Sequence, residues 1–239
     1  MESNSGSSNK LISLREQIYE DYASKTPKSG ACYERLSKSL AAGVSGSLRF
    51  FEPYPLYMTN GKGSRTYDLD GNEYIDCFLC NGPLLLGHRH PEVMASRKEL
   101  ENVGSIIYNP EFLMECAELL KSLVPGAELI RFLDSGSEAV LTAVRIARAF
   151  TGKNKIVKFF GHYHGQDDQF LLGRGFTTEI ISKGVPAEAV ANTIVIEYSD
   201  IEVVKQKFDE DDDIAAVILD PAMFAGGLWP AEKGYLKAL

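Results

Sequence analysis

The segment Arg131-Phe132-Leu133-Asp134-Ser135-Gly136-Ser137-Glu138-Ala139 constrains this chain more than any other. The apolar ending of Leu129–Leu133 predicts a short buried strand. From Glu138 to Phe150, apolar residues return at helical spacing, at Val140, Val144 and Ala147, with Leu141 and Ile146 widening the stripe. Between strand and helix lies a turn of small residues, which leaves backbone N–H groups facing open space. A helix N-terminus adds a partial positive charge to such unpaired donors, so Ser135-Gly136-Ser137 is a candidate anion site, typically for a phosphate. The same residues also form a capping box, Ser135 with Glu138, which any helix can use to satisfy its own first turn.

The rest of the pattern is α/β. Leu11 to Tyr33 predicts an amphipathic helix through Leu14, Ile18 and Tyr22, broken near Pro27, and a short β region follows from about Leu56 to Phe78. Helices are expected at Pro91–Val103, Glu111–Val124, Ser137–Thr151 and Ile201–Phe208. Besides Leu129–Leu133, strands are expected at Ile156–Phe160, Thr193–Tyr198 and Ala215–Leu219. Strands alternating with helices imply a mostly parallel sheet covered on both faces. Ligands of such sheets bind at the carboxyl ends of the strands, where Ser135–Ser137, Tyr163 and Asp220 all fall.

The second strand, Lys155–Phe160, runs into the glycine-bracketed cluster Gly161-His162-Tyr163-His164-Gly165. With the Ser-Gly-Ser-Glu-Ala turn before it, this resembles class III pyridoxal-phosphate aminotransferases, most closely the glutamate-1-semialdehyde aminomutase branch. Three further segments agree in order and spacing: Tyr67–Asp76, Gly82–Val93, and Ala215-Ala216-Val217-Ile218-Leu219-Asp220-Pro221. The resemblance runs from about Gly43 to the last residue. It implies an aspartate-aminotransferase-like (fold type I) α/β architecture, incomplete at the C-terminus. Residues 1–80 would form an N-terminal helix and a small β region of the small domain, and 81–239 the first part of the large cofactor-binding domain.

The resemblance also implies roles. The cofactor would be pyridoxal 5′-phosphate, which needs its phosphate anchored, its ring held flat and its aldehyde joined to a lysine. Cofactor contacts are expected from Ser135, Gly136, Ser137, Tyr163, His164 and Asp220, with Tyr163 stacked on the pyridine face. Tyr163 also reads as a half-buried core aromatic, and His164 as a satisfied structural histidine. Gly43-Val44-Ser45-Gly46-Ser47-Leu48-Arg49 matches the aminomutase segment whose arginine holds the substrate carboxylate, which makes Arg49 the substrate-binding candidate. On charge statistics alone Arg49 is a solvated surface residue.

Several positions depart from the family. Asp220 stands where Glu is usual, Ala225 where a polar Asn or Glu is usual, and Cys80 and Asn81 where aminomutases carry a small polar residue and an aromatic. The family's ring-nitrogen Asp and Schiff-base Lys belong to strands downstream of the Asp-Pro element. Lys183, Lys205, Lys207, Lys233 and Lys237 follow the tyrosine turn, but none follows a strand in the required order. The expectation is therefore an N-terminal fragment with no catalytic residue of its own. Its full-length parent would be a homodimer transferring amino groups of amino acids or keto acids. The alternative is a non-catalytic binding or regulatory subunit with the same fold.

At 239 residues the chain is long enough to bury a sizeable core. A formal net charge of −8 argues against nucleic-acid or anionic-membrane binding. Met1–Lys10 is Ser/Asn/Gly-rich and reads as a disordered start, and no apolar run approaches the about 18 residues of a membrane span, so a cytoplasmic protein is expected. Cys77 and Cys80 have C-x-x-C spacing, but no second ligand pair follows, and Cys32 and Cys116 complete no disulfide framework. No metal site is expected from these cysteines or from the pairs His88/His90 and His162/His164, and Asp209–Asp213 reads as a solvated turn.

Overall fold

Pro27 sets the first break. It has no N–H to donate and its ring clashes with the preceding turn, so α1 (Ser3–Lys25) stops and α2 (Pro27–Leu36) starts with proline in its first turn. α1 reaches back through the segment expected to be disordered, because extending an existing helix adds one hydrogen bond per residue fixed. Tyr22 is half-buried against Phe51 and Tyr54, whereas Leu14 and Ile18 of the expected stripe are exposed.

The computed structural model describes residues 3–104, 108–173, 180 and 182–239, and it divides into two units, Met1–Pro110 and Glu111–Leu239. In the first, the β region is an antiparallel meander of β1 (Met58–Lys62), β2 (Arg65–Asp68) and β3 (Glu73–Ile75), in that order. Asp68 organises its second turn. Its carboxylate is 2% exposed and accepts from the Asp70 and Asn72 N–H groups, the Asn72 amide and the Tyr74 hydroxyl at 2.8–2.9 Å. Burial pushes this carboxyl up, and the four hydrogen bonds outweigh burial and hold it below the usual carboxylate range. The C-x-x-C segment is a turn after β3, with Cys77 and Cys80 both exposed free thiols. α3 (Pro91–Leu100) ends three residues short of the expected Val103, and Glu101–Val103 form a turn.

The second unit opens with α4 (Glu111–Leu123) and α5 (Gly136–Thr151). Its sheet has β4 (Lys155–Phe159) in the middle, parallel to β5 (Thr193–Ile196) on one side and β6 (Ile214–Val217) on the other. The short helix α6 (Ala187–Val190) precedes β5, and α7 (Ile201–Glu210) crosses from β5 to β6. After β6 come a two-stranded hairpin, β7 (Ala222–Met223) and β8 (Trp229–Pro230), and α8 (Tyr235–Ala238). Side chains alternate across β4. Val157 and Phe159 pack with Ile196, Val204, Ile214 and Tyr235, while Ile156 packs with Val144 and Phe170. Ile156, Val157 and Phe159 are each 0% exposed, so the central strand is covered on both faces as the α/β pattern requires.

Two further expectations are corrected. Leu129–Leu133 is not a strand: Leu129 is 94% exposed, and no described residue supplies the ladder partner without which an extended segment is not a strand. The acidic run is more than a solvated turn. Asp211 Oδ2 pairs with Lys155 Nζ at 2.6 Å, and Asp213 Oδ1 accepts from the Asn154 N–H and side-chain amide, pinning the start of β4 beside β6. Among the described residues, no helix is long and apolar enough to cross a membrane.

Phe159 lies at the centre of the larger core cluster, with edge contacts to Tyr198 and Tyr235. Phe159→Ala is expected to cost about 3–5 kcal/mol, seen as a lowered urea midpoint with an unchanged m-value. A midpoint shift worth less than about 1 kcal/mol would show that this cluster is not the unit's main support.

Candidate functional site

The start of α5 realises the capping box. Ser135 is extended (φ −148°, ψ 160°), its Oγ accepts the Glu138 N–H at 3.2 Å, and it donates to Glu138 Oε2 at 2.8 Å. This satisfies one first-turn donor. The N–H groups of Gly136 and Ser137 lie ahead of any intrahelical acceptor, so capping leaves them available to an anion.

The turn after β4 comes up against this helix start. Gly165 has φ +98°, and a Cβ there would lie 2.6 Å from Ser137 Oγ and 2.9 Å from its Cα. Only glycine allows both the backbone angle and the close approach. Ser137 Oγ accepts the Gln166 N–H at 3.1 Å, and Gln166 Nε2 donates to the Tyr163 hydroxyl at 2.8 Å. A continuous chain, Ser137–Gln166–Tyr163, thus joins the start of α5 to a tyrosine that is 42% exposed. Gln166 was not singled out in the sequence. Its only signal is that it follows the second glycine of the bracket.

Beneath the rim is a buried polar cluster. His162 is 1% exposed, and its Nδ1 accepts the Asp220 N–H at 2.8 Å, which assigns the proton of the neutral ring to Nε2. Asp220 Oδ2 in turn accepts the Tyr163 N–H at 3.3 Å. His164 is buried, with Nδ1 3.7 Å from Asp220 Oδ1, and its ring meets Phe170 edge-on. Lys158, fully buried, donates to the carbonyls of Phe170 at 3.2 Å and Leu172 at 2.7 Å. A lysine inside the apolar run Ile156–Phe159 is the sequence signal for a buried charge, which periodicity alone places only within a strand.

Burial sets the charge states. It pushes Lys158 down to about 8, against the pull of the Asp220 carboxylate. Burial, reinforced by the Lys158 ammonium, pushes His162 down to about 4 and His164 to about 3. Asp220 is raised by burial, opposed by the Tyr163 N–H and Lys158. Metal-ligating atoms of His162, His164 and Asp220 lie within 4.8 Å of one another. His162 Nδ1 and Asp220 Oδ2 are engaged with backbone N–H groups, so these two side chains read as a prop for the strand ends, with His164 packed beside them.

The second unit therefore brings together Ser135, Gly136, Ser137, Tyr163, His164 and Asp220 of the sequence-derived set. His164 faces inward, with its Nδ1 3.7 Å from Asp220 Oδ1. Arg49 belongs to the first unit, where it is exposed and its Nη1 donates to Ser45 Oγ at 2.6 Å.

The cluster has an acid signature. Unfolded histidines titrate near 6.5, whereas folded His162 and His164 stay neutral until about 4 and about 3. In that window the unfolded chain binds more protons, so stability falls as the pH drops below 6.5. The raised Asp220 acts in the opposite sense, with one group against two. Urea midpoints should decline from about pH 7 to about pH 5, and a flat or rising midpoint would contradict the buried neutral histidines.

The family profile of class-III aminotransferases matches residues 50–239. A glutamate-1-semialdehyde 2,1-aminomutase of Natranaerobius thermophilus is 44% identical over 209 residues, covering 84% of this chain and 49% of that protein. One from Archaeoglobus fulgidus is 42% identical over 218 residues, covering 89% and 52%. Among solved structures, a transaminase with PLP bound superposes with a TM-score of 0.82 at 36% identity, covering 90% of this chain and 52% of that one. An omega-transaminase from Sphaerobacter thermophilus gives 0.83 at 30% identity, covering 87% and 50%. The chain spans about half the length of the curated relatives it matches. Its architecture is that of fold type I transaminases, as the sequence resemblance implied, and the matched profile runs through the anion turn, the tyrosine turn and the Asp-Pro strand end. The chain belongs to the class-III aminotransferase family.

Proposed function

We propose that this chain carries the phosphate- and ring-holding part of a site for pyridoxal 5′-phosphate, in a protein that transfers amino groups of amino acids or keto acids. The observation that carries the reading is the Ser137–Gln166–Tyr163 chain, which sets free helix-start donors and an exposed aromatic ring on one rim. The Gly165 approach supports the fit, since any side chain there would displace Ser137. When bound, the cofactor supplies an electron sink that lets an amino group leave one carbon for another. The Gly136 and Ser137 N–H groups and the Ser137 hydroxyl would hold the phosphate, with Ser135 capping the helix behind them. Tyr163 would cover the ring, and Asp220, with His164 behind it, fixes the backbone that carries Tyr163. Arg49 takes the substrate carboxylate.

In this reading residues 1–80 belong to a small domain and 81–239 to the large one. The full-length protein is a homodimer, and exposed apolar side chains on α4 (Phe112, Met114, Leu119, Leu123) support a covering surface there. The lysine that joins the cofactor's aldehyde is not among these residues. Lys158 is buried on two carbonyls, and Lys205 and Lys207 pair with Glu202 and Glu210.

Titration with pyridoxal 5′-phosphate tests the site. Ser137→Ala removes a charge-assisted hydrogen bond and should weaken binding by about ten- to a hundredfold. Tyr163→Leu should alter the spectrum of the bound cofactor while leaving the affinity for inorganic phosphate unchanged. Wild-type affinity in Ser137→Ala would remove the turn as the phosphate site. Borohydride reduction of the mixture, followed by mass spectrometry, should leave no lysine stoichiometrically modified. One fully modified lysine would show that the chain carries its own anchoring amine.

A further inference from the structure

We infer that His162 is a positioning residue of this site: its ring fixes the Asp220 backbone, and through the Asp220 carboxylate it sets where Tyr163 stands. The inference deepens the reading of Tyr163 as the ring-stacking residue and rests on it. The last paired residues of β4 and β6 are Val157 and Val217, and one more backbone bond, Ile218 N–H to Val157 O at 2.8 Å, closes the ladder. Beyond that point β-pairing no longer holds the two strand ends together, yet Tyr163 and Asp220 both lie there.

His162 and Asp220 bridge the gap reciprocally. The β4 end presents an acceptor, His162 Nδ1, to the Asp220 N–H at 2.8 Å, and the β6 end returns an acceptor, Asp220 Oδ2, to the Tyr163 N–H at 3.3 Å. The imidazole cannot turn freely within this clasp. Tyr198 meets it edge-on at 4.4 Å between centroids, with Phe159 at 5.5 Å and His164 at 6.0 Å. A residue that only filled the core would need shape but no acceptor at Nδ1. The difference between acceptor and shape is what a pair of substitutions can separate: leucine keeps much of the volume, whereas asparagine can place its Oδ1 where Nδ1 accepts.

The test uses the whole chain, with hydrogen–deuterium exchange at the Asp220 and Tyr163 amides and titrations with pyridoxal 5′-phosphate and with inorganic phosphate. His162→Leu should speed exchange at both amides by about fivefold or more. It should also weaken pyridoxal 5′-phosphate binding severalfold, with inorganic phosphate unaffected, because the anion turn does not pass through His162. His162→Asn should restore both. Unchanged exchange at Tyr163 in His162→Leu overturns the inference, as does equal loss in His162→Asn. If His162→Leu does not fold, the ¹⁵N shifts of His162 in the wild-type chain decide: an unprotonated Nδ1 with a protonated Nε2 supports the clasp, and the reverse tautomer overturns it. If the wild-type chain binds no pyridoxal 5′-phosphate, the cofactor reading of the rim fails and the inference that depends on it falls too. Amide exchange still reports whether the clasp itself exists, so the two failures are distinguishable.

Discussion

At the carboxyl end of β4 the chain has to leave a parallel ladder while its polar groups are still out of reach of water. Ile156, Val157, Lys158 and Phe159 are all 0% exposed, so whatever follows them starts inside the protein. An unpaired buried donor or acceptor costs about 1–3 kcal/mol, and a bare buried charge costs more. The exit is therefore built largely from groups that pair with one another, while the Nε2 atoms of His162 and His164 have no hydrogen-bond partner among the described residues. Lys158 takes two carbonyls, His162 takes the Asp220 amide, and Asp220 takes the Tyr163 amide. The site at the rim stands on this arrangement.

The same low-polarity surroundings sort the charges. Burial pushes Lys158 and Asp220 toward their neutral forms and their mutual attraction opposes it, while the two imidazoles, repelled by the Lys158 charge, are held neutral. A neutral imidazole has one acceptor nitrogen, and at His162 that acceptor is occupied by a backbone amide. The cluster thus acts as scaffold, and the groups left facing outward are the helix-start N–H groups, the Ser137 hydroxyl and the Tyr163 ring. Glycine at 165 matters for the same reason: the tyrosine turn can contact α5 only where no Cβ intervenes.

Much of this was legible from local pattern. The helical spacing from Glu138 to Phe150, the capping box at Ser135 and the strands around Ile156, Thr193 and Ala215 appear in the structure within one to three residues, because periodicity and capping chemistry are properties of short windows. The glycine-bracketed turn and the Asp-Pro strand end identified the family for the same reason. Leu129–Leu133 failed because a strand is defined by its neighbour, and apolar character says nothing about whether one is present. The roles of Lys158, His162 and Gln166 were not legible, although His162 stands in the tyrosine-turn cluster, because their partners lie 12 to 58 positions away.

The sequence by itself determined the α/β class, the family, the capped helix start at Ser135 and the tyrosine turn, because each motif that carries them is a short window of neighbouring residues. Only the tertiary structure decided that Ser137 and Tyr163 share a rim through Gln166, that His164 faces inward, and that Asp220 supports Tyr163. The physical reason is the parallel sheet. Setting β6 beside β4 brings Asp220 next to His162, and a hydrogen bond between residues 58 positions apart exists only once that register is formed.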